Sequence, residues 1–174
     1  MTRLKNLPEF MKVVKQVQPV DSNGAAQGGN YNFVSLRNYQ SAGFLLSVGA
    51  HSGSAAAFTV QQAKNVEGNG AKSLAYDLYY KNAVGSSPQE ESDRWDKVTG
   101  ASGTFNIAAQ TNFWIPVRPG ELDVSNDFDC IRAHLAAPDA ATLIGMWLFL
   151  WGGPEGITGN TIHIPSANVN RMPN

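Results

Sequence analysis

The sequence predicts an all-β fold, a jelly-roll-like antiparallel β-sandwich of about eight to nine strands. Three observations carry this. From residue 31 onward, apolar and polar residues alternate with period two in runs of five to nine, the spacing of half-buried strands. Clusters of Gly, Asn and Pro punctuate those runs. Connections such as residues 64–70 and 82–93 are too long for two-residue turns, which favours Greek-key crossings over a meander. The 174 residues, 43% of them apolar, suffice for one ordinary core.

The first twenty residues stand apart. Arg3, Lys5, Lys12 and Lys15 against Glu9 make them +3 and leave −4 for the rest of a chain whose net charge is −1. Leu4, Leu7, Met11, Val14 and Val17 recur at three- and four-residue steps, as on one face of a short helix that Pro19 would end. Val13, Val14 and Val17 also suit an extended arm, so residues 1–20 are read as an arm, either a short helix or extended. Residues 21–30, rich in Gly, Asn and Ala, form a flexible polar linker. The organisation is then an arm and linker over 1–30, a sandwich over 31–151 and an irregular extension over 152–174.

Strands follow in order: Phe44, Leu46 and Val48 alternating with Leu45, Ser47 and Gly49; Phe58, Val60 and Gln62 with Thr59 and Gln61; Leu74, Tyr76, Leu78 and Tyr80 over residues 73–80. Phe105 and Ile107, then Phe113, Ile115 and Val117, continue the pattern, as do residues 128–135 and 143–151. Residues 143–151 are apolar throughout. A membrane helix needs about 20 such residues, so this run reads as a strand buried on both sides. Ile144, Met146, Leu148 and Leu150 point one way; Trp147, Phe149 and Trp151 point the other. The arm, the tail or a neighbouring subunit would cover the second face.

Chemistry is sparse. Only 16% of residues are charged and the charges nearly cancel, which excludes a broadly basic nucleic-acid binder. One cysteine, Cys130, excludes an intrachain disulfide; in its alternating run it reads as a small strand residue. The basic N-terminus lacks the apolar stretch of a signal peptide. His51, His134 and His163 have no partner at metal-ligand spacing. His51 and Ser52 lie in a Gly-rich loop read as a hairpin turn, since the glycines of a nucleophile elbow are missing around Ser52. Residues 68–73 resemble a phosphate loop only in part, because Val66 and Ala71 stand where Gly is needed and a strand follows. Residues 123–129 offer oxygen ligands at alternate positions, yet Asp and Asn also dominate turns; a turn leading into a strand is preferred to a Ca²⁺ loop. No catalytic residue, metal ligand or cofactor is assigned.

The runs Phe44-Leu45-Leu46-Ser47-Val48-Gly49-Ala50 and Gly68-Asn69-Gly70-Ala71-Lys72-Ser73-Leu74, with residues 57–63, 95–99, 102–107 and 122–131, resemble a family of small virion proteins encoded in tailed-phage and prophage head modules. The resemblance spans roughly residues 40–151. It implies a non-enzymatic decoration (cement) protein on the head surface of the virion, made in the host cytoplasm. Its partners would be the major capsid protein and itself, as a homotrimer, with no nucleic acid or membrane. A tail or minor head component is the near neighbour. Contact candidates are then Leu4, Leu7, Phe10, Met11, Val14 and Val17 in the arm, with Trp147 and Trp151 between subunits. The competing readings are a carbohydrate- or ligand-binding sandwich and a jelly-roll enzyme, the latter disfavoured because Arg132 and Cys130 beside His134 do not make a metal set.

Overall fold

A computed structural model describes residues 11–22, 25–28, 32–53, 56–83, 95–152, 157–158 and 161–162. Two antiparallel sheets face each other. The larger has the order β1 (Met11–Asp21), β11 (Thr142–Trp151), β3 (Ser41–His51), β9 (Thr111–Val117), β6 (Leu78–Ala83), β7 (Asp96–Thr99). In the smaller, β2 (Val34–Ser35) and β4 (Ala57–Ala63) flank β10 (Cys130–Leu135), and the other edge of β4 is shared by β5 (Lys72–Ser73) and β8 (Thr104–Asn106). A short ribbon of β12 (Ile157–Thr158) and β13 (Thr161–Ile162) lies in the C-terminal extension.

The topology is that of a jelly roll. Strands β1 to β4 alternate between the large and small sheets, and β8 to β11 alternate back. The returning half pairs with the outgoing one: β1 with β11, β2 with β10, β3 with β9 and β11, β4 with β8 and β10. Such a doubly wound antiparallel ribbon closes into a sandwich with few free edges. The β6–β7 hairpin is an insertion that widens the large sheet beside β9.

Alternation decides which side chains meet. Phe44, Leu46 and Val48, Phe113, Ile115 and Val117, and Ile144, Met146, Leu148 and Leu150 all turn inward from the large sheet; Phe58, Val60, Ile131, Ala133 and Leu135 meet them from the small one. Burial of each large side chain stabilises by about 1.5–3 kcal/mol. Phe105 anchors one end of this core, its ring 4.4 Å from Tyr79, 4.7 Å from Phe113 and 5.1 Å from Phe58.

Of the two forms read for the arm, residues 11–21 take the extended one: they form a strand paired along β11 from Met11 opposite Trp151 to Asp21 opposite Leu143. This half of the arm therefore belongs to the sandwich. The linker is partly tied down as well, since Gln27 and Leu135 exchange both backbone hydrogen bonds, at 3.0 and 2.9 Å. Residues 73–80 are not one strand, because the chain leaves β5, crosses from the small sheet to the large one and enters β6; Leu74 and Tyr76 stay buried in the crossing and so preserve the alternation. Finally, the loop at His51 joins β3 to β4 in the opposite sheet, so it is an arch between layers instead of a hairpin turn.

Candidate functional site: an aromatic sheet face

The two sheets differ on their outer faces. On the small sheet, Thr59 and Gln61 of β4 and Arg132 and His134 of β10 point outward. Arg132 donates from Nε to Gln61 Oε1 at 2.8 Å and lies over the Phe33 ring, 4.4 Å from its centroid. Burial, and secondarily the Arg132 charge, lowers the His134 pKa. This face is wet, as a sandwich face normally is.

The large sheet is the opposite. Its outer face carries Met11 and Val13 from β1, Leu143, Trp147, Phe149 and Trp151 from β11, Leu45 from β3, Trp114 and Pro116 from β9, and Tyr80 from β6. Val13 and Leu143 are each 50% exposed; the aromatic residues are half-buried because they cover one another. Trp114 stacks on Trp151 with centroids 5.9 Å apart and an interplanar angle of 16°, and it meets Phe149 at 5.7 Å. No Asp, Glu, Lys or Arg faces outward from β11, β3 or β9; Lys15 on β1 and Lys97 on β7 stand towards the flanks.

Two strand-interior glycines make this pavement flat. A Cβ on Gly43 would lie 2.2 Å from Cζ2 and 2.4 Å from Cη2 of Trp114, and one on Gly145 would lie 2.6 Å from Cη2 of Trp147. Each indole therefore lies down on bare backbone instead of standing off the sheet. Glycine inside a strand is unfavourable on propensity alone, and covering it with an aromatic ring recovers packing. The signal was present in the sequence as Gly43 within an otherwise mostly apolar strand, but its indole is known only once β3 is registered against β9.

Of the contact candidates, Trp147 and Trp151 lie on this face, with Met11 at its edge opposite Trp151. Val14 packs against the core and Val17 is 1% exposed within it, so neither is presented to a partner. Leu4, Leu7 and Phe10 lie outside the described residues. The described arm runs beside β11 in the plane of the sheet and does not lie over Trp147, Phe149 and Trp151. Trp114, Phe149 and Leu45 belong to the site although the residue-level reading did not select them.

Elsewhere the polar groups serve structure. Residues 123–129 form a turn: Asp123 accepts from Ser125 Oγ at 3.1 Å and Asn126 Nδ2 at 2.8 Å, pairs with Lys72, and Asp127 takes the left-handed conformation at φ 66°. Cys130 packs with Phe33 and Ala63 in a small cluster on the outer side of the small sheet, and burial, followed by a hydrogen bond to Asp129, raises its thiol to about 12. His51 Nδ1 lies 2.8 Å from Thr142 Oγ1. Among the described residues no three His, Cys, Asp or Glu side chains converge on one point, and no helix is long and apolar enough to cross a membrane. No protein-family model matches the chain, and no curated protein or solved structure is significantly similar to it.

Proposed function

We propose that this chain is a non-enzymatic structural protein of a phage particle, binding the outer capsid lattice as a decoration protein that stabilises the head. The observation that carries the reading is the jelly-roll body with one polar sheet face and one flat, uncharged aromatic face. Joining capsomers requires interfaces of some 800 Å² per partner instead of a catalytic pocket. Charge-poor surface suits the centre of such an interface, where desolvation of ions is avoided. The partners are the major capsid protein and further copies of this chain. Because β1 is integral to the sandwich, the lattice contact made by the arm falls to residues 1–10, with Leu4, Leu7 and Phe10 as apolar anchors and Arg3 and Lys5 as the basic complement to an acidic capsid surface.

The test is particle-based. Heads assembled with and without the chain are purified, and its copy number is measured by quantitative mass spectrometry and its position by cryo-electron microscopy. Ordered density on the head exterior at lattice joints is expected, and heads lacking the chain should rupture at lower temperature. A chain deleted for residues 1–10 should bind those heads at least ~10-fold more weakly, as the loss of a tethered second contact implies. Absence of the chain from purified particles, or density confined to the tail, refutes the proposal.

A further inference from the structure

We infer that the outer aromatic face of the large sheet is a two-fold interface with a second copy of this chain. The inference is independent of the phage reading. It also differs from the three-fold arrangement that the family resemblance implies, because a patch that meets itself generates a two-fold axis.

Extent is the first argument. In the plane of a sheet each residue occupies ~16 Å², from a rise of ~3.3 Å and a strand spacing of ~4.8 Å. The strands with an apolar outer face, β11, β3 and β9, have 10, 11 and 7 residues. That corresponds to roughly 450 Å² in projection on each copy, more than half of the ~800 Å² each partner contributes to a standard stable interface, and Met11, Val13 and Tyr80 extend it from the flanking strands. Among the described residues nothing lies over this patch, and one of that size on a monomer is often functional.

Charge is the second. A face that meets its own copy confronts every charge with a like charge near the axis. Here β11, β3 and β9 present only Ser, Asn, Gly, Pro, Leu and aromatic side chains outward, while Lys15, Asp21 and Lys97 stand on the flanking strands. Self-association centred on these three strands therefore buries no ion at its middle and leaves the charges on its rim.

Shape is the third. With Trp114 laid on Gly43 and Trp147 laid on Gly145, the two indoles do not project to hold a second sheet away. Two twisted sheets of the same hand stack face to face at ~10 Å with their strands inclined by about 30°. The Trp114–Trp151 pair and Phe149 then supply the rigid aromatic anchors on which such interfaces concentrate their affinity.

The experiment is sedimentation velocity of the isolated full chain from about 0.1 µM to 100 µM, a span covering ordinary homodimer affinities. The expected result is a reversible dimer of twice the 18.7 kDa chain mass. Its dissociation constant should be nearly unchanged between low and high NaCl, since no ion pair is involved. Leu45→Lys, which places two opposed cations in the paired faces, should raise that constant at least ~100-fold while leaving the circular dichroism intact. Thr59→Lys on the polar sheet should leave it unchanged. If Leu45→Lys does not fold, acrylamide quenching of the wild-type tryptophans answers instead: quenching should rise on dilution through the dimer transition. A wild-type chain that is monomeric throughout overturns the inference. So does a trimer, or a dimer that Thr59→Lys disrupts as strongly as Leu45→Lys.

Discussion

Adding one methyl group at Gly43 tests how the aromatic pavement is built. The new Cβ would lie 2.2 Å from Trp114 Cζ2 and 3.0 Å from Cε2, so Gly43→Ala must displace the indole. Displacement breaks two ring pairs, with Trp151 at 5.9 Å and Phe149 at 5.7 Å, each contributing about 0.5–1.5 kcal/mol. Moving the ring off its rotamer adds about 0.5–1.5 kcal/mol. Against this, alanine restricts the unfolded chain and returns about 0.4–1 kcal/mol. The net expectation is a loss of about 2 kcal/mol, hence a drop of about 4–8 °C in Tm for a chain of this size. Urea titration followed by far-UV circular dichroism measures it without depending on tryptophan emission. The decisive comparison is the double variant. With Trp114→Ala already present the three atoms nearest that Cβ are gone, so Gly43→Ala should become neutral or stabilising by up to about 1 kcal/mol, a coupling of about 2–3 kcal/mol. If Gly43→Ala is harmless in the wild type, or equally damaging in both backgrounds, the indole does not rest on that glycine.

Three further outcomes follow from the interior and the polar face. Phe105→Ala removes the ring stacked on Phe58, Tyr79 and Phe113 and should destabilise by about 3–5 kcal/mol; a change below about 1 kcal/mol in urea unfolding would show that this end of the core is loosely packed. Tyr76 is 5% exposed, its hydroxyl has no hydrogen-bond partner among the described residues, and burial raises its pKa. Tyr76→Phe should therefore stabilise by about 1 kcal/mol, and a fall in Tm contradicts that. Burial and Arg132 lower the His134 pKa, so the fold favours the neutral ring: its contribution is full above the ordinary value of about 6.5 and is lost as pH falls towards the folded value. His134→Gln should flatten the stability profile on the acid side of pH 6.5, whereas an unchanged slope excludes the histidine as its source.

Strands β3, β4, β9 and β10 were legible because each has one face in the core and alternates along most of its length, and β11 because its unbroken apolar run is too short for a membrane helix. Strand β1 was not, for a specific reason. Val14 pairs with Leu148, Val17 with Met146 and Val20 with Ile144, so three residues of β1 pass for every two of β11. Each step holds an extra residue, a β-bulge, and two bulges in succession place residues three apart on the same face. That spacing is also the signature of a helix, so single-chain periodicity cannot separate the two. Gln16, in the first bulge, is turned inward and accepts from the Ala133 amide of the opposite sheet at 3.4 Å, which ties the irregular strand across the core. Strand β7 was invisible for the opposite reason: Asp96, Lys97 and Thr99 are exposed on a sheet edge, where charge blocks further pairing and leaves no apolar rhythm to read.

The candidate site was half legible. Two apolar faces on residues 143–151 already implied that something meets the second one. Which residues complete that face depends on registers set by non-local pairing, Trp147 against Leu45 and Leu45 against Trp114. Stability alone does not require such a surface. The small sheet keeps Thr59, Gln61, Arg132 and His134 in water over the same core, and the large sheet would retain its backbone ladder and inner face with polar residues outside as well. Strand-interior glycines compound the point, since Gly43 and Gly145 forgo side-chain packing and β-propensity in two strands paired on both sides. Their compensation is two indoles lying flat, and a flat apolar surface gains most when a second flat surface removes it from water. The chain thus combines an unfavourable local choice with an exposed apolar face on one sheet only, a pairing that contact with a partner explains and the folding of a single copy does not.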